Sequence, residues 1–533
     1  MSSPVRCTAA DLLVRRLFDL GVREVFGYPG GQMTPLYDAL YRDGRLRHFL
    51  TRHEQAAAFM ADGYARATGR PGVCLAVCGP GVFNAATALA AAQTDSVPVL
   101  LLSGQVPRAG RGLRTGYYHE NDQLLACAAL TKHQARADDP AALVGRVDEA
   151  WAALTTGRPG AVLLEVPVDV LRAEVDDALP ALPAVPGPAA ASAAEVGRLA
   201  RVVAAWRRPL LLAGGGAVSS GAHDELLRLA GRLGAPVFHT ANGKGAFPGS
   251  HPLSAGMPWR RATSDLTGMA EMFSPLFGRA DGLLAVGCRF TQLATGSWAL
   301  RPPPLAQIDV DPAEIGRHYP VEAGAVGDAR LTLRALVEAL PGPDRPAWAE
   351  PDRPEAPWRL PGWDILGALR RALPADAVVA ADVTRLAYIL MADFPTDRPR
   401  TFLHPAGSVA MGYALPAALG ALAGCPGRKV LAVVGDGGFQ MSAMELATAV
   451  QERLPVVVLL VNDRCLTLIK ATQERRYDNR FIAVDLHNPD FGTLARAFGV
   501  GYWRPTDDGE LEAALREALA AGGPGLVEVV VEK

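Results

Sequence analysis

Val430-Leu431-Ala432-Val433-Val434-Gly435-Asp436-Gly437 and Val456-Val457-Val458-Leu459-Leu460-Val461-Asn462-Asp463 decide the fold. Each is an apolar run that ends in an acid. The stretch between them, Gln440 to Glu452, reads as a helix, so the whole is one βαβ crossover. Both strand tips then open on the same edge of a parallel sheet, where ligands bind. Asp436 and Asp463 on such tips suit a hard divalent cation, and Mg²⁺ commonly takes one or two carboxylates together with substrate phosphates. A helix starting at Phe439–Gln440 would face the same spot and favour a phosphate. Gly-Asp-Gly alone is also a common turn. The strands, the helix and the second polar tip favour a Mg²⁺-diphosphate site over that reading.

Outward from this unit, the strand–helix alternation continues through the chain and indicates parallel sheets. A first block, about Thr8 to Asp169, has strand-like Glu24–Gly27, Val73–Val77, Val99–Ser103 and Ala161–Val166, with helix-like Gln55–Thr68 and Phe83–Gln93. The Pro/Ala-rich stretch Leu179–Ser192 reads as a stiff connector. A second block, Ala193 to Leu340, has strand-like Pro209–Ala213, Leu283–Val286 and Ala306–Val310. A second break, Pro341 to Pro361, precedes the third block, which carries the opening stretch. The expectation is an α/β protein of three domains, residues 1–178, 193–340 and 362–533, with blocks one and three as structural cousins. A length of 533 residues is too great for one core.

Composition excludes several classes. The chain is 49% hydrophobic and 20% charged, with a net charge of −2. Signs are mixed along it, so neither nucleic acid nor an anionic membrane is expected as a partner. Seven cysteines without a CxxC pair fit free thiols in a reducing cytoplasm better than a disulfide framework. No apolar stretch of about 20 residues suggests a membrane span.

Three short stretches of block one lie at predicted strand ends. Arg52-His53-Glu54-Gln55 opens an Ala-rich helix, where Glu54 on its own reads as a first-turn acid complementing the helix dipole. Cys78-Gly79-Pro80-Gly81 and Tyr28-Pro29-Gly30-Gly31 are tight glycine turns that let a ligand approach the backbone. In order along the chain stand VFGYPGG (25–31), RHEQAAAFMADGYARATGRPGV (52–73), CGPGVFN (78–84), SGQVP (103–107), GSVAMGYALPAALGA (407–421) and GDGGFQMSAMELATAVQERLPVVVLLVND (435–463). This set resembles the acetolactate synthase branch of the thiamine diphosphate (ThDP) enzymes over essentially the whole chain.

The resemblance implies a ThDP-binding fold in the N- and C-terminal domains and a Rossmann-like middle domain. It implies Mg²⁺ held by Asp436, Asp463 and the backbone carbonyl of Cys465, with Asn462 turned inward; the family usually has Asn at the place of Asp463. Glu54 takes the place of the glutamate that hydrogen-bonds N1′ of the aminopyrimidine, which makes it catalytic. Met411, beside Val409, matches the apolar wedge under the bent cofactor. Gln105 and the Gly79–Gly81 turn look like pocket elements. Gly435, Gly437, Gly438, Thr384 and Arg385 lie where the diphosphate is contacted. There, Thr384-Arg385-Leu386 replaces the usual Gly-Gln-His. His404, where synthases often have Thr, either touches the diphosphate or is structural. Tyr118-His119 stands for a Phe-Gln pair and Thr472 for a tryptophan, so the acceptor pocket is expected to differ. FAD stays open: Gly214-Gly215-Gly216, Arg158, Arg289 and Asp309 persist, but Gly256-Met257-Pro258 departs from Gly-Met-His. The expected activity is decarboxylation of a 2-oxo acid, pyruvate first, and transfer of the acyl unit to a second carbonyl compound. The alternative is a lyase that releases an aldehyde, with His404 or His119 as proton donor. A homodimer or homotetramer is implied, because in this family the pyrimidine domain of one subunit faces the diphosphate domain of another.

Overall fold

The structure, a computed structural model, describes residues 6–112, 116–259, 273–351, 360 and 362–531. Its frame is three six-stranded sheets. The first contains β1 (Glu24–Gly27), β2 (Arg47–Leu50), β3 (Gly72–Ala76), β4 (Val99–Gln105), β5 (His133–Arg136) and β6 (Ala161–Pro167), in the order β2-β1-β3-β4-β6-β5. The second contains β7 (Pro209–Ala213), β8 (Val237–His239), β9 (Ser254–Gly256), β10 (Gly282–Val286), β11 (Leu305–Asp309) and β12 (Ala323–Val326), in the order β9-β8-β7-β10-β11-β12. The third contains β13 (Val378–Ala381), β14 (Phe402–Leu403), β15 (Val430–Gly435), β16 (Val457–Asn462), β17 (Gly501–Trp503) and β18 (Gly525–Val530), in the order β14-β13-β15-β16-β18-β17. The pairings within these sheets are parallel. Parallel strands need helical crossovers, which cover both faces and explain the fully buried runs of β3, β4, β7 and β16. A short antiparallel pair, Arg6–Thr8 with Glu174–Asp176, is the exception.

The middle sheet has the strand order of a dinucleotide-binding fold. The first and third sheets share a single order, as expected of cousins. Most of the second predicted break, residues 352–359 and 361, lies outside the described residues. Among the described residues no helix is long and apolar enough to cross a membrane, and all seven cysteines are free.

The helices that matter to the site are α1 (Glu54–Thr68), α2 (Pro80–Asp95), α3 (Arg385–Asp393), α4 (Ala414–Gly424), α5 (Asp436–Ser442), α6 (Glu445–Gln451), α7 (Thr467–Arg476) and α8 (Phe491–Ala497). The single helix expected over Gln440–Glu452 is two helices, broken at Ala443–Met444. It also begins four residues earlier than expected, at Asp436. No proline or glycine marks the break. Tertiary demand explains it, because the re-aimed α6 turns Glu445 and Thr448 onto the segment before α1, as described below.

The chain forms two compact units: residues 1–187, 408–427 and 442–454, and residues 188–407, 428–441 and 455–533. In the first, α1 and α4 cross at backbone contact. A Cβ on Gly63 would overlap the Ala417 backbone, and one on Gly420 would overlap Met60. Beside the crossing, Tyr413 stacks edge-on against Phe59, with centroids 5.3 Å apart, and donates to Asp62 Oδ1 at 2.8 Å. Asp62 also binds Arg66 at 2.6 Å, and Arg66 reaches Asp95 at 2.9 Å. α1 is thus held rigidly along its length.

Candidate functional site

In the first unit, Glu54 opens α1 and is 9% exposed. Its Oε2 accepts from Asn84 Nδ2 of α2 at 2.9 Å. Oε1 accepts no hydrogen bond among the described residues. It faces Gly81, where a Cβ would stand 3.2 Å away. A buried acid with one oxygen held and one available is poised to bind a ligand atom.

The turn that delivers Glu54 is clamped by α6. Arg52 N donates to Glu445 Oε1 at 3.0 Å, and Thr448 Oγ1 donates to Glu445 Oε2 at 2.7 Å with Leu50 O 3.2 Å away as the alternative acceptor. The Arg52 guanidinium donates to Gln451 Oε1 at 2.8 Å. Burial pushes the Glu445 carboxyl up to about 7, against hydrogen bonds from Thr448 and Arg52 that favour its charged form. His53 caps the helix through Gln55 N at 3.2 Å.

Gly79 sits at φ +66°, and its missing Cβ leaves room for the His119 carbonyl, 2.8 Å from where it would stand. Gly79 N donates to Gln123 Oε1 at 3.0 Å, and Gln123 Nε2 donates on to Gly104 O at 3.0 Å. Gln105 is fully buried. Its Nε2 donates to Asn121 O at 3.1 Å and its Oε1 accepts from Val106 N at 2.8 Å, so its amide is committed to the loop that carries His119. His119 is exposed, at φ +65°, with its ring 4.9 Å from that of Tyr118. Val409 is also exposed and has φ +52°. A β-branched residue adopts that conformation only under constraint, and such strain collects at functional sites. Met411, two residues on, is half-buried beside it in sequence, just before α4.

In the second unit, Asp436 lies in the first turn of α5 and is buried. Its Oδ1 accepts from Gly437 N at 2.9 Å and its Oδ2 from Asn488 Nδ2 at 2.6 Å. Burial raises its pKa, Asn488 opposes that, and Asp463 raises it further. The two acids are therefore close enough to repel, which is the electrostatic condition a cation relieves. Asp463 accepts from Cys465 N at 3.1 Å and from the Thr467 hydroxyl at 2.5 Å. Asn462 turns away, its Nδ2 donating to Glu528 Oε1 at 2.6 Å. Cys465 is buried, in an isolated bridge to Asp485.

Thr384 caps α3 through Ala387 N at 3.0 Å. Its Cγ2 lies 3.3 Å from where a Gly435 Cβ would stand, and Asp382 Oδ1 lies 3.0 Å from the corresponding point on Gly438. Arg385, the first residue of α3, is half-buried, and its guanidinium makes no hydrogen bond or ion pair among the described residues. His404 is buried, its Nδ1 donating to Ala381 O at 2.9 Å. Thr472 lies on α7 with its hydroxyl bonded back to Leu468 O at 3.0 Å.

The structure thus gathers Glu54, Gly79, Gly81, Gln105 and His119 on one sheet edge. It gathers Thr384, Gly435, Asp436, Gly438 and Asp463 on another. Sequence reasoning missed Asn84, Gln123, Glu445 and Asn488. Asn84 carried a usable signal, three residues beyond Gly81 on one helix face. Asn488 precedes a proline and marks a turn, but nothing local ties it to Asp436.

These residues fit ThDP with Mg²⁺. The available Glu54 oxygen suits a ring nitrogen, the buried Asp436 with the half-buried Asp463 is a hard oxygen donor pair, and Arg385 offers a cation at a helix start. Among the described residues no three His, Cys, Asp or Glu side chains converge as a metal cluster. In the middle domain, a Cβ on Gly214 or Gly216 would strike Gly287. Packing accounts for that glycine run without a ligand.

Comparison with known proteins agrees. Family models for the N-terminal thiamine pyrophosphate binding domain, the central domain and the C-terminal thiamine pyrophosphate binding domain match residues 7–126, 196–336 and 382–529. The chain is 41% identical to a probable 2-ketoarginine decarboxylase, AruI, of Pseudomonas aeruginosa, over 98% of this chain and 94% of that one. It is 36% identical to a probable acetolactate synthase large subunit of Methanocaldococcus jannaschii, over 98% and 92%. An X-ray structure from Mycobacterium smegmatis, assigned as a thiamin diphosphate-dependent enzyme, superposes with a TM-score of 0.85 at 27% identity and covers 99% of both chains.

Proposed function

The chain belongs to the thiamine pyrophosphate enzyme family, and on that premise we propose that it decarboxylates a 2-oxo acid and transfers the acyl unit to a second carbonyl compound. The observation that carries this reading is the pair of half-sites: a buried Glu54 with one available oxygen, and an acid pair, Asp436 buried and Asp463 half-buried, that suits a cation. When bound, ThDP supplies a nucleophilic carbon and an electron sink for decarboxylation. Glu54 holds a proton at the aminopyrimidine N1′, and Asn84 keeps its carboxyl in place. Asp436, Asp463 and the Cys465 carbonyl hold Mg²⁺. Thr384, Arg385, Gly435, Gly437 and Gly438 receive the diphosphate, with His404 behind them. Val409 and Met411 would support the cofactor. Gln105 braces the loop from which Tyr118 and His119 shape the acceptor side of one half-site, and Thr472 shapes that of the other. A second copy of the chain supplies the facing half-site, and the exposed Phe83 on α2, one residue from Asn84, fits such a contact.

A second reading is a simple decarboxylase that releases an aldehyde. The AruI similarity favours it, with a 2-oxo acid bearing a guanidinium as substrate. The holoenzyme incubated with pyruvate, and separately with 2-ketoarginine, separates the two. Acetolactate or another acyloin supports the ligase reading. Aldehyde alone, from either substrate, overturns it.

A further inference from the structure

We infer that Asn488 is the positioning residue of the metal site: it fixes the Asp436 carboxylate and turns Asn462 away, so that Asp463 is the residue presented to the cation. This rests on the Mg²⁺ reading above. One amide nitrogen does both tasks. Asn488 Nδ2 donates to Asp436 Oδ2 at 2.6 Å and to Asn462 Oδ1 at 2.9 Å. Asn488 Oδ1 accepts from Gln440 Nε2 at 3.0 Å, and Gln440 also reaches Asp436 O at 3.2 Å.

The orientation of both amides is fixed by logic as well as distance. The Glu528 carboxylate can only accept, and it takes Asn462 Nδ2 on one oxygen and the Tyr502 hydroxyl on the other. Asn462 must then offer its oxygen to Asn488, and Asn488 must answer with its nitrogen. The chain Tyr502–Glu528–Asn462–Asn488–Asp436 is therefore oriented end to end. Two anchors hold Asn488 in reach. Asp490 caps α8 through Thr493 N, and Phe491 packs edge-on against Phe439 of α5, with centroids 5.6 Å apart. The helix that bears Asp436 and the loop that bears Asn488 are thus tied together by side-chain contacts.

Outer partners of this kind orient ligands, and their loss typically costs about 10–100-fold in metal affinity. The test titrates Mg²⁺ into full-length protein at fixed ThDP and reads bound ThDP by equilibrium dialysis, with no turnover involved. Asn488→Ala is expected to raise the Mg²⁺ midpoint about 10–100-fold, with ThDP occupancy returning to the wild-type level at saturating Mg²⁺. Asn488→Leu keeps the volume without the donors, and the same shift is expected should the alanine variant fold poorly. Asp436→Asn is expected to lose occupancy at every Mg²⁺ concentration, and the Asp436→Asn/Asn488→Ala pair to behave like Asp436→Asn alone. An unchanged midpoint in both Asn488 variants overturns the inference. So does a lost occupancy that Mg²⁺ does not restore, since that marks a merely structural role. An unchanged midpoint in Asp436→Asn overturns the metal reading itself, whatever the Asn488 variants do.

Discussion

The first and third sheets have the same strand order, yet their tips carry different equipment. After the third strand, one has Cys78-Gly79-Pro80-Gly81, with no carboxylate, and the other has Gly435-Asp436-Gly437-Gly438. After the fourth strand, one has the amide Gln105, committed to a loop, and the other has Asp463. After the second strand the contrast reverses: the first sheet leads to Glu54, and the third leads to the apolar Val409 and Met411. The lesson is that the topology supplies converging tips and the residue types at them supply the chemistry. On the function proposed above, the two acids on the third and fourth tips would serve a cation, and glycine and amide at the same tips, with one acid on the second, would serve a neutral ring nitrogen.

Substitutions can break that contrast. The largest effect is expected from Glu54→Gln, which keeps the shape and the Asn84 partner but cannot supply an acid proton. Turnover is expected to fall about 10²–10⁴-fold, the range for one acid–base group, with ThDP affinity nearly unchanged; hydrogen exchange at C2 of bound ThDP checks it. Exchange at the wild-type rate would remove Glu54 from the mechanism. Next in size is Gly63→Ala, which places a methyl against the Ala417 backbone in the α1–α4 crossing. A cost of about 3 kcal/mol is expected in denaturant unfolding, at the upper end for overpacking. A cost below 1 kcal/mol would mean that the helices can part.

Much of this contrast could be read before any coordinates. β15 and β16 are long apolar runs ending in polar residues, so the acids on their tips stood out. The edge strands Arg47–Leu50 and His133–Arg136 did not, because an edge strand is short and partly wet and carries no continuous apolar run. The break at Ala443–Met444 has no local signal, because its cause is the fit of Glu445 and Thr448 to the turn before Glu54. Asn488 was invisible for the same reason, since its partners Asp436 and Asn462 are remote in sequence. Motif residues are legible when one local segment determines them. The residues that aim them are chosen by tertiary contacts.

Glu445 sharpens the comparison from another side, as an acid that serves the Glu54 turn by structure alone. Its carboxyl moves from an ordinary 4.5 to about 7 on burial. Below about 4.5 it is protonated whether folded or not. Between the two values the folded state holds a proton that the unfolded state has released, so stability falls as pH rises, and it levels off above about 7. A shift of this size is worth on the order of 3 kcal/mol. Asp309, raised to about 6 by burial in the other unit, adds a change of the same sign. The informative quantity is therefore the difference between wild type and Glu445→Gln. The cofactor-free variant is expected to lose most of the slope between about 4.5 and 7 and to melt higher than wild type at pH 8. An unchanged slope would show that Glu445 stays charged against the Arg52 backbone.

The smallest effect concerns the tips of the first strands. In the first sheet that tip is Tyr28-Pro29-Gly30-Gly31, with no side-chain cap, and Gly30 is required because Val77 fills the space a Cβ would need, 2.5 Å from its own Cβ. In the third sheet Thr384 caps α3 with its hydroxyl and sets its methyl beside Gly435. Thr384→Ala is expected to cost about 1 kcal/mol, the usual value of a lost cap, measured by urea unfolding. Thr384→Ser keeps the hydroxyl and loses only the methyl, so it should recover nearly all of that stability. If serine is as costly as alanine, the methyl contact with Gly435 is what matters. The first-strand tip would then be a packing device in both sheets, and the difference between them would lie only in the second, third and fourth tips.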